Sequence, residues 1–188
     1  LLDPVVSFLA SLGISPMAVS LTGLVLSLVG AVYVATGRLV WGAVILLLSG
    51  LCDSLDGSLA RRMGKVTTFG AFFDSTIDRI TELAYFGALL FYFAGTGTFN
   101  LLMIFFILAS IAGSFLTSYT RARAEGLGME CRVGLLERPE RLAILMLGLL
   151  LGRVVLIVAI IFLAFLTLYT FVQRVLYVKR VSEEKTSE

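Results

Sequence analysis

Asp53, Asp56, Asp74 and Asp78 are the residues of this 188-residue chain whose type and spacing point most directly to chemistry. On a helix, Asp53, Asp56, Gly57 and Ala60 fall at offsets of three, four and seven, which puts them on one face. Gly70, Asp74 and Asp78 follow at offsets of four and eight, again on one face. If the two helices are antiparallel neighbours, four carboxylates meet with no basic partner, and their mutual repulsion calls for a cation. The chain has no His and only two Cys, so the ligands on offer are hard oxygens. Such oxygens favour Mg²⁺, Mn²⁺ or Ca²⁺ over zinc. Four carboxylates suit two ions, and paired ions suit phosphoryl transfer by stabilising both the entering and the leaving oxygen. Gly57 and Ala60 leave room for a flat base or a phosphate to approach the backbone. A lone Asp here would be a helix cap or an interfacial charge. Four at compatible spacings argue for a site, with an ion pathway as the competing use of intramembrane acids.

The elements that must carry these acids are membrane helices. Apolar residues make up 59% of the chain and charged residues 15%, against ~45–50% and ~25% in soluble domains. No charge lies between Asp3 and Arg38 or between Glu82 and Arg121, and only Arg153 interrupts the run from Leu142 to Gln173. A crossing needs ~20 apolar residues. The pattern predicts an all-α integral membrane protein with six spans near 15–36, 40–61, 67–94, 99–123, 138–152 and 154–176. Gly95-Thr96-Gly97-Thr98 supplies the turn that splits the uncharged stretch from Leu83 to Thr120. The fifth span reaches membrane length only if Glu137–Arg141 belongs to its first turn.

Of the 15 Lys and Arg, this layout leaves only Arg38 and Arg153 on one face, so both termini and the acid cluster are expected on the cytoplasmic side of the cell membrane. Residues 1–14, with Val5, Val6, Phe8, Leu9 and Leu12, are expected to form an interfacial helix, and 179–188 a frayed polar tail. One domain is expected over 1–188, with no repeat and no signal peptide expected from the pattern. Missing His excludes His-based catalysis and His metal ligation. Cys52, in an apolar run, and Cys131, in a charged loop, are not expected to bridge. The basic residues are accounted for by topology, not by nucleic acid.

The string Asp53-x-x-Asp56-Gly57-x-x-Ala60-Arg61, then eight residues, then Gly70-x-x-x-Asp74-x-x-x-Asp78 resembles the signature of the CDP-alcohol phosphotransferases at all eight defined positions. The similarity extends to the six-span layout and to Gly13, Pro16 and Thr22; Met17 departs, where many members have Asn. This resemblance implies that a CDP-linked lipid is attacked by the hydroxyl of a small alcohol, releasing CMP and forming a phosphodiester lipid. It assigns Asp53, Asp56, Asp74 and Asp78 to two Mg²⁺ or Mn²⁺ ions, and Asp78 also to the acceptor's proton. It assigns Gly57, Ala60, Arg61 and Gly70 to the nucleotide and phosphates. A homodimer is implied as well, and Gly148-x-x-x-Gly152 is a small-residue pair suited to close helix approach.

Ser118-Tyr119-Thr120-Arg121-Ala122-Arg123-Ala124-Glu125 and Glu137-Arg138-Pro139-Glu140-Arg141 bear on the acceptor. Ser118 and Arg121 share a helix face, as do Arg138 and Arg141, and arginine grips phosphate through several donors. Retention of arginine on the cytoplasmic side is the plainer explanation for any one of them. Both strings resemble the branch of the family that uses inositol 1-phosphate to make phosphatidylinositol phosphate or its archaeal ether-lipid counterpart. Ser118, Arg121, Arg138 and Arg141 are thereby expected to bind the acceptor phosphate. Glycerol 3-phosphate is the rival acceptor, and a cation-coupled transporter the rival class.

Overall fold

The computed structural model describes residues 3–96 and 101–187, the side chains of 185–187 excepted. Among them are seven helices and no strand: α1 (Asp3–Ser11), α2 (Pro16–Ala35), α3 (Leu39–Arg62), α4 (Thr68–Gly95), α5 (Leu101–Gly126), α6 (Arg138–Leu151) and α7 (Arg153–Ser187). Four of them, α2, α3, α5 and α7, are long and apolar enough to cross a membrane. The expected six segments are all helical. Gly97 and Thr98 of the expected turn, and residues 99 and 100 of the expected fourth span, lie outside the described residues, as do residues 1, 2 and 188. The chain forms two compact units, Leu1–Tyr92 and Phe93–Glu188.

In the first unit, α2 opens at Ser15, whose side chain accepts from the Ala18 N–H at 3.2 Å, with Pro16 at the first helical position. Its inward stripe is Val19, Gly23, Ser27, Gly30, Ala31 and Val34. Lipid offers no hydrophobic contrast between helices, so small residues and buried polar contacts do the joining. A Cβ on Gly23 would stand 3.0 Å from the Cβ of Cys52 on α3, and one on Gly30 would overlap the Tyr85 hydroxyl of α4. Hydroxyls tie the same helices. Ser49 donates to the Gly23 carbonyl at 2.8 Å, Thr81 to Ser27 at 3.1 Å and Tyr85 to the Gly42 carbonyl at 3.0 Å. The helix α1 is seated through Val6, which is buried with Val19 and Leu59, while Val5, Phe8 and Leu12 stay exposed.

The turn from α3 to α4 is the one that matters for the site. Gly64, at φ +62°, takes the left-handed conformation that ends α3, and the Lys65 N–H closes back on the Ala60 carbonyl at 2.9 Å. Thr67 then accepts from the Gly70 N–H at 3.0 Å, which starts α4. Five residues of connection, Met63 to Thr67, thus reverse the chain and set the signature halves of α3 and α4 side by side.

In the second unit α7 packs on both α5 and α6. Gly113 of α5 lies so close to Thr167 that a methyl group there would overlap its hydroxyl, and Gly148 of α6 lies against Leu156 and Ala159 of α7. Gly152, at φ +94°, makes the break between α6 and α7. The Gly148–Gly152 pair is therefore divided between packing inside the chain and a turn. The expected frayed tail is also different: α7 continues to Ser187. No Gly or Pro interrupts it there, and Lys179 reaches Glu183 one turn on at 3.7 Å.

Candidate active site

Helix periodicity and the tight α3–α4 turn bring Asp53, Asp74 and Asp78 together: each offers a carboxylate oxygen, and these atoms lie within 4.8 Å of one another. All three are partly buried. Asp56 stands slightly apart. It is 7% exposed, and one of its oxygens, Oδ2, accepts a hydrogen bond from the Ser20 hydroxyl of α2. Arg79 modifies the expected absence of a basic partner, since its Nη1 lies 3.4 Å from Asp78 Oδ2 while also donating to the Ser75 carbonyl at 2.5 Å. Adjacent helix positions point apart, so sequence gave no reason to pair them. The arginine is long enough to fold back along the helix.

Beside the acids is a cavity of about 370 Å³, lined by Asp56, Gly57, Ala60, Arg61, Gly70 and Asp74. Asp74 belongs to both the acid group and the cavity wall. Every residue expected at the nucleotide thus lines one hollow. At Gly57 an added Cβ would meet only Arg61 Nη1, at 3.5 Å, so the backbone there faces open space. Arg61 also reaches the Ser58 hydroxyl at 3.2 Å. Sequence reasoning missed Ser15, Ser20, Lys65, Phe69 and Phe73, which also line it. The rings of Phe69 and Phe73 are stacked, their centroids 5.8 Å apart, and give one wall an aromatic surface. Two aromatics four residues apart at a helix start were a legible signal; Ser20 carried none.

The acceptor residues lie in the second unit. Ser118 is partly buried near the end of α5, and Arg138 is partly buried at the start of α6. Arg121 pairs with Glu125 at 2.9 Å and lies 3.8 Å from Glu137, which links the end of α5 to the start of α6. Arg141 is 3% exposed and donates to the Leu136 carbonyl at 3.4 Å, so it supports the connecting segment from within.

That α5–α6 segment is held by one face of α7. Thr170 Oγ1 accepts from the Leu136 N–H at 3.3 Å, and Gln173 Oε1 accepts from the Leu135 N–H at 3.1 Å. Arg174 donates to the Val133 carbonyl at 2.8 Å and to the Thr117 carbonyl of α5 at 2.6 Å. Cys131, fully buried, anchors the same stretch and is a free thiol like Cys52.

Residues 14–179 match the CDP-alcohol phosphatidyltransferase family, and the chain belongs to it. It is an enzyme of the transferase class, a membrane protein of phospholipid biosynthesis, with homologues named phosphatidylinositol phosphate synthase. One, from Streptomyces avermitilis, is 36% identical over 97% of this chain and 80% of its own length. An archaetidylinositol phosphate synthase from Methanothermobacter thermautotrophicus is 39% identical over 85% of this chain and 80% of its own. The phosphatidylinositol phosphate synthase of Mycobacterium tuberculosis, 33% identical, superposes with a TM-score of 0.86 in its structure with CDP-DAG bound, over 93% of this chain and 92% of that one. Its structure in complex with manganese and citrate gives a TM-score of 0.88, over 95% of this chain and 88% of that one. Membership in a transferase family sets aside the transporter alternative.

Proposed function

We propose that the protein transfers a phosphatidyl-type group from a CDP-linked lipid, CDP-diacylglycerol or CDP-archaeol, to inositol 1-phosphate, releasing CMP. The observation that carries this is the three-carboxylate group that shares Asp74 with the cavity that the signature glycines line. The relatives' names supply the acceptor, and the bound CDP-DAG and manganese of the Mycobacterium tuberculosis enzyme supply the donor and metal class.

The donor set fits a divalent cation: three carboxylate oxygens within 4.8 Å, without His or thiolate, are hard ligands suited to Mg²⁺ or Mn²⁺. Asp53, Asp56, Asp74 and Asp78 would hold two ions, which when bound neutralise charge on the pyrophosphate and the departing CMP. The remaining work belongs to the chain. Gly57, Ala60 and Gly70 admit the nucleotide close to the backbone, and Arg61 meets its phosphates. Asp78 accepts the proton of the acceptor hydroxyl, whose oxygen forms the new bond to the lipid phosphorus as the bond to CMP breaks. Ser118, Arg121, Arg138 and Arg141 bind the phosphate of inositol 1-phosphate and so orient that hydroxyl.

In this reading six helices cross the cell membrane, α2 to α7, with the site and both termini cytoplasmic and the chain a homodimer. At ~1.5 Å per residue α4 is amply long, while α6 falls short of a ~30 Å core unless its arginine-bearing first turn snorkels. A site at the membrane surface lets lipid tails stay in the bilayer while the soluble acceptor arrives from water.

CMP release by the purified protein with Mg²⁺ or Mn²⁺ tests this, comparing inositol 1-phosphate, glycerol 3-phosphate, free inositol and serine. Selective turnover with inositol 1-phosphate is expected. Selective turnover with glycerol 3-phosphate would keep the aspartate chemistry and overturn the acceptor assignment.

A further inference from the structure

Ser20 lies outside the aspartate signature and on a different helix, yet its hydroxyl is bonded to one of the signature acids. It sits one turn into α2, lines the cavity, and donates to Asp56 Oδ2 across 36 residues of sequence. It also donates to the Pro16 carbonyl, at 3.2 Å, in the first turn of the same helix. The hydroxyl therefore joins the start of α2 to the acid face of α3.

An aspartate carboxylate turns easily about its last torsion, where the energy profile is broad and two-fold. Its lone pairs point usefully only if that rotation is fixed. For Asp56 that orientation decides whether it can serve the same cation as its neighbours. Asp53, Asp74 and Asp78 bring oxygens within 4.8 Å of one another, and Asp56 is not part of that group. A hydroxyl is also the right kind of holder. It fixes direction while adding no positive charge, whereas a lysine or arginine there would compete with the cation for the carboxylate. Carboxylates that ligate metals are themselves commonly hydrogen-bonded, and loss of such an outer partner typically costs ~10–100-fold in metal affinity or activity.

We propose that Ser20 is the positioning residue for Asp56, holding its carboxylate at the angle at which it serves a divalent cation. The proposal rests on the metal assignment made above. Its test is Mn²⁺ binding by the full-length purified protein in detergent, followed by the paramagnetic resonance of free Mn²⁺, with no lipid and no turnover. Ser20→Ala should weaken Mn²⁺ binding by about 10–100-fold. Ser20→Thr, which restores the hydroxyl, should return most of the affinity. Ser27→Ala is the packing control. Ser27 is buried on the same helix and bonded to Thr81, away from the cavity lining. That variant should lose stability and keep its Mn²⁺ affinity.

Unchanged affinity in Ser20→Ala, or an equal loss in Ser27→Ala, would overturn the role given to Ser20 and leave the metal assignment standing. Failure of the unaltered protein to bind Mn²⁺ would overturn the metal assignment, and the Ser20 proposal with it. In turnover with saturating metal, Ser20→Ala should recover much of its rate, which a purely structural lesion would not.

Discussion

Gly57→Ala separates stability from function, because the two should move in opposite directions. Gly57 has no left-handed backbone to protect, and an added methyl group would meet only Arg61 Nη1, at 3.5 Å, an ordinary contact. Within a helix, alanine is favoured over glycine by ~0.5–1 kcal/mol, so thermal stability should hold or rise. The same methyl would project into the cavity of about 370 Å³ where the nucleotide is proposed to lie against the backbone. Overfilling a packed site costs about 1–3 kcal/mol. At ~1.4 kcal/mol per factor of ten, the KM for the CDP-lipid should rise about 5- to 150-fold. Melting in detergent gives the first quantity, and CMP release against CDP-lipid concentration gives the second. Gly30→Ala supplies the contrast, since its methyl would overlap the Tyr85 hydroxyl and should lower the Tm. A Gly57→Ala enzyme with normal Tm and normal KM would refute close approach of the donor at this backbone.

The remaining predictions address the base, the acceptor and the segment between α5 and α6. Asp78→Asn should abolish CMP release while leaving much of the CMP binding measured by calorimetry, and chelation of divalent ions should abolish turnover until Mg²⁺ or Mn²⁺ is restored. Arg138→Gln should raise the KM for inositol 1-phosphate by an order of magnitude or more, with little change in the KM for the CDP-lipid; loss of a charged hydrogen bond is worth ~1.5–3 kcal/mol. Arg174→Leu should strip the donor from the Val133 carbonyl, at ~1–3 kcal/mol, while the Thr117 carbonyl keeps the Thr120 hydroxyl at 3.0 Å. That variant should melt earlier and bind the acceptor less well, both visible in one preparation.

What could be read from the sequence was what the helix period controls. Asp53 with Gly57 and Ala60, and Gly70 with Asp74 and Asp78, share faces because spacings of three, four, seven and eight leave little choice. The five-residue reversal that holds Gly64 and Thr67 then sets one face beside the other. The same logic placed all six long segments. It failed wherever the deciding contact is local in space but not in sequence. Ser20 reaches Asp56 across 36 positions, and Arg174 reaches Thr117 across 57. Nothing in the local pattern separates these side chains from an ordinary membrane serine and a topology-setting arginine. Arg79 failed for the opposite reason. It is too near, since neighbours on a helix diverge and only a long flexible chain brings it back to Asp78.

Gly148 and Gly152 show the limit of spacing more sharply. They are the same residue type at a spacing that suits helix association, yet one is pressed against Leu156 and the other turns the chain at φ +94°. A small residue licenses a close approach or an unusual backbone, and which of the two it serves depends on where the helix ends. The helix ends at Gly152, and α7 begins at Arg153, the one charge in a long apolar run. The spacing alone therefore carries no argument for a dimer interface, and the proposed homodimer has to find its surface elsewhere on the chain.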